Sequence, residues 1–127
     1  MQLIYTFETA GTPELAQVGG KGLSLILMTQ REMPVPPGFV LSLDFFAPWL
    51  DAIRQTPQWA RVVQAVDSTP GTLKASCDAI KALCAGLTLD VERDAALTHA
   101  VEDLGGALFA VRSSSPEEDL EGASFAG

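Results

Sequence analysis

Positive charge is scarce in this chain of 127 residues. Eight lysines and arginines stand against sixteen aspartates and glutamates, which gives a formal net charge of −8 at pH 7. Proteins that bind nucleic acids or anionic membranes without sequence preference rely on an excess of lysine and arginine. The composition argues against both classes. If the chain binds an anion, it must do so through a few placed cations and backbone N–H groups.

Cysteine and long apolar runs are also scarce. Cys77 and Cys84 share one helical face two turns apart, too far for a disulfide within a helix, so we interpret them as small apolar residues of a core stripe. The longest apolar runs are far shorter than the roughly 20 residues of a membrane span. The first residues lack the basic and apolar regions of a signal peptide. We therefore expect a cytoplasmic protein that binds neither membrane nor nucleic acid.

The hydrophobic pattern predicts a single α+β domain, rich in helices and with a few short strands. Strands are predicted at residues 3–7, 39–43 and 107–111. Residues 8–18 are predicted to form a loop or a broken turn of helix, and a largely buried helix is predicted to follow the glycines at 19–22. A further helix is predicted with Asp44 or Ser42 as its cap. Other helices are predicted to begin at Pro57, Pro70 and Asp90, and the last to end at Gly105. His99 is interpreted as a surface residue of that last helix.

Lys21 lies where a helix is predicted to begin, surrounded by Gly19, Gly20 and Gly22. Glycines let the backbone approach a ligand closely and leave N–H groups free for an anion. A phosphate at this point would satisfy the helix end, the glycine N–H groups and the ammonium together. The alternative is a glycine turn with a solvated lysine, and the tetrapeptide alone leaves both interpretations open.

Arg112 follows the third predicted strand and precedes Ser113, Ser114 and Ser115. Its guanidinium offers a fixed fork that suits phosphate oxygens, and the serines could add hydroxyl or backbone donors. The alternative is an edge charge in a surface loop. The acidic run that follows suits the first turn of a helix better than metal ligation, so no metal ligand is assigned within the chain.

Three segments in this order resemble a known family. The segments VGGKGLSL (18–25), MPVPPGFVLS (33–42) and AVRSSSPEEDLEGASFAG (110–127) are similar to the N-terminal ATP-binding domain of phosphoenolpyruvate synthase, pyruvate phosphate dikinase and rifampicin phosphotransferase. The resemblance covers essentially the whole chain, although the helical middle contributes length and pattern rather than motif. It implies that residues 1–127 form the N-terminal portion of an ATP-grasp nucleotide-binding domain.

The resemblance also implies a site and a reaction. The lysine and arginine of the matching motifs, Lys21 and Arg112, would contact the phosphates of ATP, and Arg112 would act in catalysis. The implied nucleotide-binding residues are Gly19, Gly20, Lys21, Arg112, Ser113 and Gly127. The implied reaction passes a phosphoryl group from ATP to a carrier histidine and on to pyruvate or another acceptor. The Mg²⁺ ligands, the second ATP-grasp half and the phosphohistidine domain would lie downstream of this chain.

We therefore expect the parent protein to be an ATP-dependent phosphotransferase, and the chain alone to be inactive and to bind ATP weakly. We also expect exposed apolar surface and a homodimer formed through it. The alternative is a stand-alone, non-catalytic module that binds a nucleotide, an anion or a protein partner. The reading frame after Gly127 would distinguish the two interpretations, whereas the phosphoryl acceptor is left open by the sequence.

Overall fold

The computed structural model describes residues 2–117 of the chain. Within these residues the elements are β1 (Ile4–Thr6), α1 (Leu15–Gln30), β2 (Phe39–Leu41), α2 (Leu43–Arg54), α3 (Pro57–Ala65), α4 (Pro70–Ala85) and α5 (Val91–Leu104). The predicted helix-rich α+β class is confirmed, while the ATP-grasp assignment stays a prediction. The chain divides into two compact units, one formed by Met1–Phe45 with Val91–Gly127 and the other by Phe46–Asp90.

The first unit contains a short sheet of two antiparallel strands. Ile4 in β1 pairs with Leu41 in β2, and Thr6 pairs with Phe39. Helix α1 packs against β2 and helix α5 packs against β1. Because a sheet of two short strands is marginal in water by itself, its stability here depends on the helices that cover it.

The core of the first unit is small and includes one polar side chain. Val18, Ile26 and Phe45 are almost fully buried, and so is Ser42. The Ser42 hydroxyl donates a hydrogen bond to the carbonyl of Gln2 at 2.8 Å and accepts one from the N–H of Phe45 at 3.3 Å. The buried hydroxyl is therefore satisfied, and it caps the start of α2. Of the two caps that the sequence allowed, Ser42 and Asp44, the structure uses Ser42.

Helix α1 begins at Leu15, inside the stretch of residues 8–18 that was predicted to be a loop or a broken turn of helix, and its first residues match the second alternative. Gly19 then interrupts it, so the helix predicted after the glycines corresponds to its second part. That part is less buried than predicted, because Ile26 is buried whereas the apolar side chains around it are half-buried. Like the other helices between residues 2 and 117, α1 lacks the length and apolar character needed to cross a membrane.

The second unit is helical, and α3 packs against α4. Pro57 and Pro70 occupy the first turns of these helices, where a missing N–H is tolerated. Thr56 caps α3, since its hydroxyl accepts a hydrogen bond from the N–H of Trp59 at 3.2 Å. Thr69 precedes α4 without such a side-chain bond to the backbone. Both helix starts were predicted from their prolines.

Helix α4 is more exposed than its apolar stripe predicts. Cys77 is half-buried but Cys84 is exposed, and both are free thiols. The core interpretation is therefore wrong at Cys84.

On the same helix Lys74 donates a hydrogen bond to Asp78 at 2.6 Å, which raises the pKa of Lys74 and lowers the pKa of Asp78. Because solvent surrounds both groups, the pair contributes little to stability.

The third predicted strand is wrong. Residues 107–111 form no strand, and they make no backbone hydrogen bond with any other residue between 2 and 117. Leu108 and Val111 are 96% and 93% exposed. A strand requires a partner strand for its backbone N–H and C=O groups, and the described chain offers none to this segment. The apolar pattern alone was therefore insufficient to form a strand.

Candidate functional site

The glycine-rich turn divides α1 into two helical stretches. Gly19 has a φ of 72° and a ψ of 171°, outside the helical region and in a conformation that side-chain-bearing residues rarely adopt. The second stretch starts at Gly20, and the first N–H groups of any helix find no acceptor within that helix. Such a helix start requires a capping group or an anion.

Ser114 caps this helix start from a distant part of the chain. Its hydroxyl accepts a hydrogen bond from the N–H of Gly22 at 3.1 Å, although the two residues are 92 positions apart. The same hydroxyl donates a hydrogen bond to the carbonyl of Val18 at 2.8 Å. An ordinary N-cap residue supplies the acceptor from its own side chain, and Gly19 has none. Ser114 therefore takes the role that the side chain at position 19 would otherwise fill.

Ser115 adds a second connection through its backbone. The N–H of Gly20 donates a hydrogen bond to the carbonyl of Ser115 at 3.0 Å. The N–H groups on both sides of Lys21 are thus bonded to two consecutive serines. We call this set of three hydrogen bonds the serine clasp. It joins two of the three segments that carry the family resemblance, which are far apart in the sequence.

Close packing accounts for the glycines at positions 19 and 22. A Cβ at position 19 would lie 2.7 Å from the carbonyl carbon of Ser114 and 2.8 Å from the backbone nitrogen of Ser115, closer than real contacts allow. A Cβ at position 22 would lie 3.1 Å from a methyl group of Val40 in β2. The glycines therefore allow the serine segment and β2 to approach α1, a role that the sequence did not reveal.

Lys21 and Arg112 lie on the two segments that the serine clasp joins. Lys21 stands between the two bonded glycines, and Arg112 precedes Ser114 by two residues. Both residues are exposed, so a ligand can reach them. The serine clasp thus connects the two short chain segments on which the predicted cations lie.

The sequence singled out Ser113, whereas the contacts are made by Ser114 and Ser115. Ser113 is exposed, and its predicted contact with a nucleotide stays a prediction. The only signal for its neighbours was the run of three hydroxyls. Which member of such a run points toward a partner depends on how the segment docks, and the sequence does not specify that.

Two further predictions lie outside the described residues. Gly127 was predicted to approach the phosphates through its backbone. The acidic run was predicted to form the first turn of a helix, and only its first member, Glu117, falls within residues 2–117. Within the same residues, no group of three or more His, Cys, Asp and Glu could hold a metal ion. No Mg²⁺ ligand is assigned among these residues, and Mg²⁺ binding by the protein stays a prediction.

A groove of about 640 Å³ in the first unit is a separate feature. It is lined by residues of β1, α5 and the start of β2, including Phe39 and His99. His99 is exposed on α5, as the sequence predicted, and its Nε2 lies 3.3 Å from a carboxylate oxygen of Asp103. Neither Lys21 nor Arg112 lines this groove, so we assign the candidate site to the glycine turn and the serine segment.

Comparison with known proteins finds relatives that match most of the chain. It is 31% identical over 132 residues to the probable phosphoenolpyruvate synthase of Methanothermobacter thermautotrophicus, covering 95% of this chain and 19% of that protein. It is 36% identical over 118 residues to the prodigiosin synthesizing transferase PigC of Serratia marcescens, covering 91% and 12%. It is 33% identical over 111 residues to the uncharacterized phosphotransferase YvkC of Bacillus subtilis, covering 86% and 11%. The chain therefore spans between a tenth and a fifth of the length of these relatives.

No solved structure matches the chain. Residues 15–127, however, match the family described as pyruvate phosphate dikinase, AMP/ATP-binding domain. The matched region contains both the glycine turn and the serine segment, so both sides of the serine clasp lie within it. This match confirms the resemblance and supports ATP binding. The chain belongs to the family of pyruvate phosphate dikinase AMP/ATP-binding domains.

Proposed function

We propose that this chain binds the phosphates of ATP, as the N-terminal part of the nucleotide site of a phosphoenolpyruvate synthase-like phosphotransferase. The serine clasp is the observation that carries the proposal. It joins the segment of Lys21 to the segment of Arg112 through three hydrogen bonds. Membership of an AMP/ATP-binding family supports ATP as the ligand.

The charge of the chain makes the two cations important. ATP is a polyanion and the chain carries a net charge of −8, so long-range electrostatics oppose binding. Local cations must therefore supply the attraction. Lys21 offers a compact ammonium, and Arg112 offers a planar fork that can bind two phosphate oxygens at once. Phosphoryl transfer spreads negative charge over the oxygens of the transferring group, and we assign Arg112 to stabilise that charge.

Backbone donors contribute less to this proposal than the glycine motif alone suggests. The N–H groups of Gly20 and Gly22 already donate to Ser115 and Ser114. The proposed phosphate contacts are therefore made chiefly by the side chains of Lys21 and Arg112. Gly19 would act by letting the serine segment approach closely, and Gly20 by donating its N–H to the Ser115 carbonyl.

We further propose that turnover needs parts of the enzyme beyond this chain, which spans 11–20% of its relatives. The proposed reaction passes a phosphoryl group from ATP to a carrier histidine and then to pyruvate or another acceptor. The relatives are named as phosphoenolpyruvate synthases, an uncharacterized phosphotransferase and a prodigiosin synthesizing transferase, so the acceptor is left open. The second ATP-grasp half and the Mg²⁺ ligands belong to the same proposal.

Titration of the ¹⁵N-labelled chain with ATP, followed by NMR, tests the proposed binding. We expect weak binding that shifts the amide resonances around Lys21 and around Arg112. Lys21→Ala and Arg112→Ala should each weaken the affinity by about ten- to a hundredfold, because a hydrogen bond to a charged group contributes ~1.5–3 kcal/mol.

Lys81→Ala and Arg61→Ala are matched controls, since each removes one exposed positive charge from a helix of the second unit. We expect both controls to keep the wild-type affinity within about twofold, because exposed charges are strongly screened. Equal losses in all four variants would mean that ATP responds only to net charge and would contradict the proposal. An absence of shifts near Lys21 in the wild-type chain would contradict it as well.

A further inference from the structure

We propose that Ser114 is a positioning residue of this ATP site. Its hydroxyl holds the segment of Arg112 against the glycine turn of Lys21, and it keeps this contact when ATP is bound. The part of this inference that concerns ATP rests on the proposed function. The contact itself can be measured without nucleotide, so the two can fail separately.

The Ser114 hydroxyl uses both its donor and its acceptor capacity. It donates to the Val18 carbonyl, which the break at Gly19 separates from the second helical stretch, and it accepts from the N–H of Gly22 in that stretch. One side chain thus satisfies the backbone on both sides of the break. The Ser115 carbonyl completes the clasp by accepting from the N–H of Gly20.

The chemistry of phosphate explains why the clasp stays closed. A phosphate oxygen could replace Ser114 as the acceptor for the Gly22 N–H. Ionised phosphate has no proton to donate, however, so it cannot replace the hydrogen bond to the Val18 carbonyl. Val18 is only 2% exposed, and its carbonyl would lose the partner that Ser114 provides. Displacing Ser114 is therefore unfavourable, and ATP binds beside the closed clasp through the exposed side chains.

Holding the clasp closed restricts where Arg112 can move relative to Lys21. Arg112 is two residues from Ser114, and Lys21 lies between the two glycines that the serines bind. Removal of the Ser114 hydroxyl changes neither Lys21 nor Arg112. It does loosen the attachment of the segment that carries Arg112. ATP binding must then restrict this segment, so the affinity falls although neither contact residue has changed.

Hydrogen exchange of the Gly20 and Gly22 amides tests the contact without nucleotide. We expect both amides to exchange slowly in the wild-type chain. Ser114→Ala should accelerate exchange at Gly22, and Ser114→Thr should restore protection because it keeps the hydroxyl. Ser113→Ala is the matched control and should leave exchange at both glycines unchanged. Equal exchange at Gly22 in the wild type and Ser114→Ala overturns the inference, whatever ATP does.

ATP titrations of the same variants test the positioning role. Ser114→Ala should weaken ATP binding about two- to tenfold, the range expected for one net hydrogen bond. Ser114→Thr should not weaken it, and neither should Ser76→Ala, which removes a serine hydroxyl from α4 in the second unit. Wild-type exchange at Gly22 should stay slow at saturating ATP. Tighter or unchanged ATP binding by Ser114→Ala, or faster Gly22 exchange in the presence of ATP, overturns the inference because the clasp would then compete with phosphate. If the wild type binds no ATP but Ser114→Ala accelerates exchange, the proposed function and the nucleotide part of the inference fail, while the contact itself is confirmed.

Discussion

Gly19 and Ser114 together form one capping interaction whose parts come from distant segments of the chain. Gly19 adopts the left-handed φ that breaks α1, and it leaves the space into which the serine segment fits. Ser114 then supplies the capping hydroxyl that Gly19, which has no side chain, lacks. Each residue therefore depends on the other. Removing the Ser114 hydroxyl removes two hydrogen bonds of the clasp, whereas a side chain at position 19 would displace the serine segment and all three.

Gly19→Ala should strongly destabilise the chain. Gly19 combines a φ of 72° with a ψ of 171°, a region that essentially only glycine adopts, and another residue there costs about 1–3 kcal/mol. The added Cβ would also lie within 2.8 Å of backbone atoms of both serines, so the serine segment would have to move away. Losing the hydrogen bonds of the clasp adds about 0.5–1.5 kcal/mol for each bond. Urea denaturation should show a loss of more than about 2 kcal/mol in the free energy of unfolding.

Gly71→Ala is the matched control for that prediction. Gly71 lies in α4, has no atom within 4 Å of an added Cβ and does not have a positive φ. Alanine is preferred over glycine within helices by up to about 1 kcal/mol, so we expect this variant to be as stable as the wild type or more stable. Equal destabilisation by the two substitutions would show that the close approach at Gly19 is not the cause.

The sequence predicted the two sides of the site but not the contact between them. Their neighbours made Lys21 and Arg112 candidates, because glycines before a helix and serines after an arginine suit phosphate binding. The family resemblance then implied that both contact the phosphates, and that contact stays a prediction. The preference for Ser114 over Ser113 was not predictable, since all three serines in the run offer the same hydroxyl. It depends on the break at Gly19 and on the docking of a segment more than 90 positions away.

Helix starts were predictable where one residue determines them locally. Pro57 and Pro70 were expected to begin helices because proline suits the first helical turn, and α3 and α4 begin at these residues. The end of α5 was likewise predicted from Gly105, which has a φ of 65°. The strand at residues 107–111 was wrong because a strand depends on a distant partner, which a local apolar pattern does not reveal.

Thr56→Ala should destabilise the second unit through the loss of a helix cap. The Thr56 hydroxyl accepts from the N–H of Trp59 at 3.2 Å, and removing such a cap costs about 0.5–2 kcal/mol. The substitution also removes the hydrogen bond that this hydroxyl donates to the carbonyl of Ile53 at 2.6 Å. The midpoint of chemical denaturation, monitored by circular dichroism, should therefore fall.

Thr69→Ala is the corresponding control at the start of α4. Thr69 is the N-cap residue of that helix, but its side chain caps no backbone N–H and instead contacts the exposed hydroxyl of Thr72 at 3.0 Å. We expect a smaller loss of stability than for Thr56→Ala. A larger loss at Thr69 than at Thr56 would contradict the assignment of the cap.

At the scale of the whole molecule, the longest continuous run of exposed apolar residues between 2 and 117 is residues 107–111, just before the serine segment. Leu108, Phe109 and Val111 are 96%, 44% and 93% exposed within a stretch of four residues. The same stretch has strand-like composition, and its backbone is not paired with any other residue between 2 and 117. An apolar segment with unpaired N–H and C=O groups is a template for pairing with another chain.

Self-association of the chain through residues 107–111 is the expected result. Two copies can pair these segments as strands and cover the exposed side chains. A segment of five residues buries much less than the ~1,200–2,000 Å² of a stable interface, so the dimer should be weak and dependent on concentration. Sedimentation velocity at increasing concentrations should show a shift from monomer toward dimer.

Two single substitutions decide whether this segment is responsible for the association. Leu108→Asp places a charge in the segment and should keep the chain monomeric, because pairing would bury an unpaired carboxylate. Val91→Asp is the control, since Val91 is 87% exposed at the start of α5, where an acidic residue is favourable. It adds the same charge at a comparable exposure and should leave dimerisation unchanged. If both variants reduced dimerisation equally, the cause would be net charge rather than the segment. A wild-type chain that stays monomeric at millimolar concentration would show that residues 107–111 do not pair between copies.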